Sequence, residues 1–450
     1  MFDKGHWQKL GACLRGELLT SDHSDYDSAR RVFNAMIDKR PAAIARCAGA
    51  ADVMACVSFA RERDLLVSVR GGGHSVAGKA VCDNGLMIDL SRMKGIRVDP
   101  VRRIAHAQPG LTLAEFDHET QAYGLVTPLG TVSMTGIAGL TLGGGYGWLN
   151  GKFGLACDNL LSVDVVTADG RLLTASAAEN DDLFWGVRGG AGNLGIATNF
   201  EYRLHPLGPV VAGPIFYPVA KAREVLRFYR EFTATAPDEL TVSAGFLTGP
   251  DGAPLVAIIL CFCGPVEESE KLLRPLTAFG DPAMDGIEVT SYLQHQKMFD
   301  PSFPPGHHHY WKGGFLPGLS DEAVDTLVSF AAASPSPLSL VVLDNLHGAT
   351  SRVKPEETAF PHRSHPYSLL VLSTWREPGE SEKNIQWARQ FWGAMQPFSG
   401  GGVYVNYLSE GEGEERVRAA YGPNLGRLAA LKKKYDPTNF FRVNQNIQPG

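Results

Sequence analysis

Three glycine-rich segments hold most of the chemical information in this 450-residue chain. The first, Arg70-Gly71-Gly72-Gly73-His74-Ser75, follows an apolar β-branched run and is itself followed by Gly78. Successive residues without side chains let backbone N–H groups approach an anionic ligand, so this segment reads as a phosphate-type loop rather than a surface turn. The second runs from Thr135 to Gly147 and contains Gly136, Gly139, Gly143, Gly144, Gly145 and Gly147. It permits the same close approach, although such runs also occur in packed turns. The third, Gly190 to Gly195, satisfies the GxGxxG spacing. A Rossmann unit would need a strand before it and a helix after it. Here a helical stretch precedes it and Ile196–Leu204 alternates like a strand, so that reading fails. No GxxxxGK[ST] is present, which argues against a P-loop nucleotide enzyme.

Candidate groups for proton transfer lie further along. Gly402–Leu408 reads as a strand, and its period of two places Tyr404 and Asn406 on one face, with Tyr407 on the other. A tyrosine on a polar face suits a redox site that must also move a proton. In Val341–Gly348 the same alternation groups Asn345 with His347, either facing a cavity or hydrogen-bonded in a core. Arg363 and Tyr367 are further polar candidates. His307–His309 lies in a Pro/Gly loop with no carboxylate or cysteine at ligand spacing, and is expected to be a surface loop that binds no metal. The acids of Glu410–Glu415 are expected to form a solvated turn.

The composition is that of an ordinary globular enzyme, 44% hydrophobic and 20% charged, with a formal net charge of −6. Mixed charges and the lack of a long basic run exclude a nucleic-acid or anionic-membrane partner as the expectation. Seven cysteines without CxxC spacing form neither a disulfide framework nor a zinc site. No apolar run approaches a membrane span, and the N-terminus lacks a signal-like apolar core. A cytoplasmic protein is therefore expected.

The elements that must hold these groups read as strand, helix, strand from Pro41 onward, with Ala51–Arg63 helical and Leu65–Arg70 running into the first glycine loop. A Pro/Gly-rich seam after His205 suggests a boundary. Beyond it, amphipathic helices alternate with apolar strands, which suggests a sheet with helices on one side. We expect three segments: 1–205, 206–399 and 400–450. The last, rich in polar residues, is expected to return to the first and line its site.

At this point the sequence resembles a known family. The segments VRGGGHSVAG, LGGGYGWLNGKFGLACDNLLSVDVVTADG, DDLFWGVRGGAGNLGIATNFEYRL, YVNY and KYDPTNFFRVNQNIQP occur in the order found in berberine bridge enzyme-like FAD-linked oxidases, a branch of the vanillyl-alcohol oxidase/p-cresol methylhydroxylase superfamily. The resemblance implies an α+β fold with a two-subdomain FAD-binding domain of the p-cresol methylhydroxylase type. A substrate domain with an antiparallel sheet and helices would cover the flavin. It implies FAD joined covalently through one histidine, His74, to the flavin 8α-methyl. Cofactor contacts would come from Arg70, Gly71, Gly72, Gly73, Ser75, Gly78, Thr131, Gly136, Gly139, Gly143, Gly144, Gly145, Gly147, Gly195, Ile196, Asn444 and Asn446. Tyr404 and Asn406 would act on substrate, with Tyr407, Asn345 and His347 as substrate-binding candidates. The family's second, cysteinyl tether has no counterpart, because Val132 occupies that position and Cys157 is out of register. Thr135 would face bound oxygen. The implied activity is oxidation of a C–OH or C–N centre of a small molecule by molecular oxygen. A flavin-N5-oxide oxygenating enzyme and a flavin dehydrogenase are the alternatives.

Overall fold

The computed structural model describes residues 4–450 and builds the chain on three main β-sheets. In the first, parallel strands Ala43–Arg46, Leu86–Asp89 and Val67–Arg70 lie in that order, with Glu17–Leu19 antiparallel at the edge. Parallel strands of one sheet need a long crossover. Helix Ala50–Arg61 provides one, and its Val53, Val57 and Ala60 are fully buried. Strand Val67–Arg70 delivers the first glycine loop to the carboxyl end of this sheet, where α/β folds place ligands.

The second sheet is antiparallel, in the order Ile96–Asp99, Ile104–Ala107, Ile196–Arg203, Leu160–Val166, Leu172–Ser176. Helix Leu113–Gln121 starts at a capping box in which Thr112 and Glu115 satisfy each other's backbone N–H.

The third sheet is built from residues after the proline-rich seam. Its long strands run Val210–Pro218, Pro254–Phe262, Leu240–Thr248, Leu340–Asn345, Tyr367–Trp375, His308–Leu316, all antiparallel. Helices Ala222–Thr233, Val266–Thr277, Asp321–Ala332 and Ser381–Met395 share a core with it. Strand alternation sends Val341, Leu343, Leu369 and Val371 into that helical core. Leu340, Val342, Leu370 and Leu372 go to the opposite face, toward the first two sheets. Both faces are apolar because both are covered.

After residue 400 the chain returns to the first half. Tyr421, Leu428, Leu431 and Tyr435 join the core of the second sheet. Gly402–Leu408 is not the strand its alternation suggested. It is extended coil with one 3-10 turn at Val405–Tyr407, closed by Tyr407 N–H to Tyr404 C=O at 2.9 Å. The segment runs beside the edge strand His308–Leu316, but the pairing is irregular. Phe315 N–H donates to Gly402 C=O, while Ser409 Oγ takes the place of a backbone partner for both N–H and C=O of Trp311. With a side chain completing the ladder, no regular register is imposed. Among the described residues, no helix is long and apolar enough to cross a membrane.

Candidate active site

The three sheets and the tail enclose a cavity of about 320 Å³. Its floor comes from Gly71–Ser75, Thr131, Val132, Thr135, Gly136, Gly139, Gly192, Gly195 and Ile196. The tail closes one end with Phe441, Val443, Asn444 and Gln445. The third sheet forms the roof through Leu340, Val342, Asp344, Leu370, Leu372 and Trp311, and Tyr404–Leu408 lies along one side.

His74 sits inside a stack of rings. Phe33 lies on it at 3.9 Å between centroids, and His309 lies on the other face of Phe33 at 4.3 Å. A strap comprising Phe33, Asn34 and Ala35 holds this arrangement. Phe33 N–H donates to Gly73 C=O, Asn34 Nδ2 donates to the carbonyls of Val76 and His309, and Ala35 N–H donates to His307 C=O. Burial lowers the His74 pKa to about 4 and that of His309 to about 3. His74 is therefore neutral near pH 7, and its Nε2 is buried without a hydrogen-bond partner. The expectation of a surface loop at His307–His309 is overturned, since His307 and His309 are buried.

Tyr404 lies beside this floor with its hydroxyl oxygen accepting from Gly145 N–H at 3.0 Å and from Asn406 Nδ2 at 2.8 Å. Tyr146 stands 4.8 Å from Tyr404, and Tyr407 stands 4.8 Å from Tyr404 on an edge. Tyr146 also exchanges a hydrogen bond with Ser368 Oγ at 2.8 Å. Burial pushes all three phenols above their usual range.

Asp344 is the cavity's acid. Its Oδ1 accepts from Ser243 Oγ at 2.8 Å, and desolvation lifts its pKa to about 6. It acts electrostatically on both Tyr146 and Tyr407. The alternation that selected Asn345 and His347 was right in period and wrong in phase. Asn345 is buried on the other face, with Nδ2 donating to Pro366 C=O, and His347 Nε2 meets Pro237 C=O at 3.2 Å. Neither reaches the cavity. Because both faces of this strand are apolar, alternation alone could not tell which one faces a ligand. Ser243, on the neighbouring strand Leu240–Thr248, was missed for the same reason, whereas Tyr146 lies in the coil of the Gly143–Gly147 turn, where no periodicity assigns a face.

Several other candidates serve the fold instead. Gly143, Gly144, Gly145 and Gly147 do not line the cavity; a Cβ on them would strike Asn406, Phe360, Ala156 and the Leu129–Gly130 backbone respectively. The run is the packed turn left open above, and φ values of +121° at Gly144 and +80° at Gly145 require glycine there. Arg70 turns away from the ligand space, its Nη1 donating to Ala29 C=O at 2.6 Å, and Gly78 packs against Ile37. Asn446 lies outside the cavity, although its Oδ1 is buried and unpartnered. Arg363 forms a two-pronged ion pair with Asp158, and Tyr367 bonds Thr233. The Glu410–Glu415 turn is not wholly solvated, because the side chain of Glu412, only 3% exposed, holds Lys312 at 2.7 Å. Cys157 is buried with its thiol pushed up by desolvation. No cysteine is among the described residues that line the cavity. No cluster of three or more potential ligands is present among the described residues that could hold a metal.

The cavity fits a flavin dinucleotide. Gly139 and Gly192 open onto free space, where a Cβ would meet no protein atom within 4 Å. Gly72 and Gly136 pack so closely that a Cβ on either would overlap the other, which keeps two glycine loops in backbone contact. His74 Nε2 and Asn444 Oδ1, on two residues that line the cavity, are buried without a hydrogen-bond partner.

Comparison with known proteins agrees with this geometry. Residues 41–176 match the FAD binding domain family, and residues 403–448 match the berberine and berberine-like family. The chain is 33% identical to an uncharacterised FAD-linked oxidoreductase of Bacillus subtilis, over 97% of each chain. It superposes on 6-hydroxy-D-nicotine oxidase from Arthrobacter nicotinovorans with a TM-score of 0.88 at 30% identity, covering 97% of this chain and 98% of that one. A carbohydrate oxidase from Microdochium nivale gives 0.86 at 26% identity, covering 98% and 99%.

Proposed function

The chain belongs to the berberine bridge enzyme-like FAD-linked oxidoreductases, and from that premise we propose that it is an oxidase, acting on a C–OH or C–N centre of a small molecule with dioxygen as electron acceptor. FAD, when bound, accepts the two electrons. The observation that carries the reading is the meeting of three groups in one cavity: a neutral buried His74, a phenol cluster and an acid of near-neutral pKa.

Each residue has a task. His74 holds FAD covalently, and its lone pair is free for that bond because burial keeps the ring unprotonated. Val132 lines the cavity where a second tether would have to originate, and valine cannot supply one. The glycine floor and the tail carry the remainder of the cofactor through backbone N–H groups and Asn444. Asp344 takes the substrate proton, because its pKa of about 6 makes it the cavity carboxylate suited to act near neutrality. Tyr407 and Tyr146, both neutral, hydrogen-bond and orient the substrate. Tyr404 and Asn406 fix the side wall against Gly145 and contact the substrate from there. Thr135 faces the cavity and leaves room for oxygen.

Two measurements test this. Protein precipitated with acid is expected to retain one FAD mass on the His74 peptide, with His74→Ala losing it and Cys157→Ser leaving it unchanged. Photoreduced enzyme mixed with air is expected to reoxidise and form one hydrogen peroxide per flavin. Reoxidation by a quinone but not by oxygen would make the enzyme a dehydrogenase.

A further inference from the structure

The roof of the cavity combines features that together select a kind of substrate. Leu340, Val342, Leu370 and Leu372 present a continuous aliphatic surface. Beside it Trp311 and Tyr407 meet edge to face at 6.1 Å, and Tyr407 stands 6.0 Å from Tyr146. Within this aromatic group lies one carboxylate, Asp344, whose hydrogen bond comes from the neutral Ser243 and which, among the described residues, has no lysine, arginine or histidine nitrogen within ion-pair distance.

A carboxylate enclosed without a cation is costly unless a ligand supplies one. Aromatic faces around such a site attract ammonium groups in the same direction. We propose that the substrate is an apolar amine, its ammonium paired with Asp344 among the tyrosines and its carbon body against the four aliphatic side chains. This rests on the oxidase reading given above. A carbohydrate would press hydroxyls against Leu340, Val342, Leu370 and Leu372, each losing water without a partner. A neutral alcohol would leave the Asp344 charge uncompensated.

The reaction balances. Asp344 first takes the extra proton of the ammonium, leaving the free amine. The C–H bond α to nitrogen and one N–H bond then break and a C=N bond forms. Two electrons and two protons leave the amine, and with dioxygen as final acceptor the sum is amine plus oxygen giving imine plus hydrogen peroxide.

The test uses the holoenzyme and two probes of one shape that cannot be turned over in this way: benzyltrimethylammonium and its uncharged isostere neopentylbenzene. Both are titrated while the flavin absorbance is followed. The cation is expected to bind tighter by about tenfold or more. Asp344→Asn should bring the pair within about twofold, whereas Ser243→Ala, which keeps the carboxylate, should retain the preference. Equal binding of the two probes to the wild type, binding of neither, or a preference that survives Asp344→Asn overturns the proposal. Anaerobic bleaching of the flavin by N-alkylbenzylamines, but not by benzyl alcohols or cellobiose, supports it. Bleaching by the alcohols or the sugar alone overturns the amine assignment and leaves the oxidase reading intact, so the two failures are distinguishable.

Discussion

Asp344→Asn tests the electrostatics of the roof without any substrate. The wild-type carboxyl is raised from 3.8 to about 6 by burial, opposed only by the Ser243 hydrogen bond. Tyr146 and Tyr407 face it as neutral phenols and bring no compensating charge. A folded pKa above the unfolded one means that the native state holds this proton longer than the unfolded chain does. The carboxylate therefore costs nothing below about pH 4, and stability falls as pH rises to about 6, beyond which the full cost persists. A shift of roughly two units at 1.36 kcal/mol each sets that cost at about 3 kcal/mol, as an upper bound. Asparagine has the same shape, can still accept from Ser243 and never ionises. Thermal melts of the holoenzyme followed by circular dichroism are expected to put the variant up to about 3 °C above wild type at about pH 8, the shift that about 3 kcal/mol produces in a chain of 450 residues. The gap should shrink to about a third of that at about pH 4.5 and close only below the unfolded value of 3.8. A variant no more stable than wild type at the higher pH, or a gap that ignores pH, would refute the reasoning. It would mean that a protein cation already neutralises Asp344.

Two further outcomes follow from the side wall and the floor. Thr135→Leu is expected to slow reoxidation of the photoreduced flavin by more than the tenfold that corresponds to about 1.4 kcal/mol, as read by stopped flow; an unchanged rate would make Thr135 a packing residue. Tyr404→Phe removes the acceptor of Gly145 N–H while Asn406 Nδ2 keeps a bond to Leu140 C=O at 3.3 Å. It should lower stability by about 2–3 kcal/mol in denaturant titration, and a neutral effect would show that water replaces the hydroxyl.

The parts of this fold that were legible in sequence are those whose pattern has one physical meaning. Val53, Val57 and Ala60 recur at helical spacing and are buried as one face. Gly71–Gly73 open a loop after a strand and line the cavity. The polar tail returns to the site through Asn444 and Gln445. What failed was pattern with two meanings. Val341–Asn345 alternates between two apolar environments, so period alone left the phase open and hid Asp344. Gly143–Gly147 looks like a ligand loop but makes room for Asn406 and Phe360. The stack of His74, Phe33 and His309 joins residues remote in sequence, and nothing local announces it.

The walls of the cavity are made at widely different times. A ribosome releases Gly71–His74 early, then the whole of the third sheet, and only afterwards Phe441–Gln445, which line the same space. At translation speeds of about 5–20 residues per second, the histidine waits roughly 20–70 s for the opposite wall. The chamber for the cofactor is therefore complete only once Phe441–Gln445 have left the ribosome. A ribosome stalled within helix Leu425–Tyr435 would leave the two glycine loops in place but no closed chamber in which to keep a flavin.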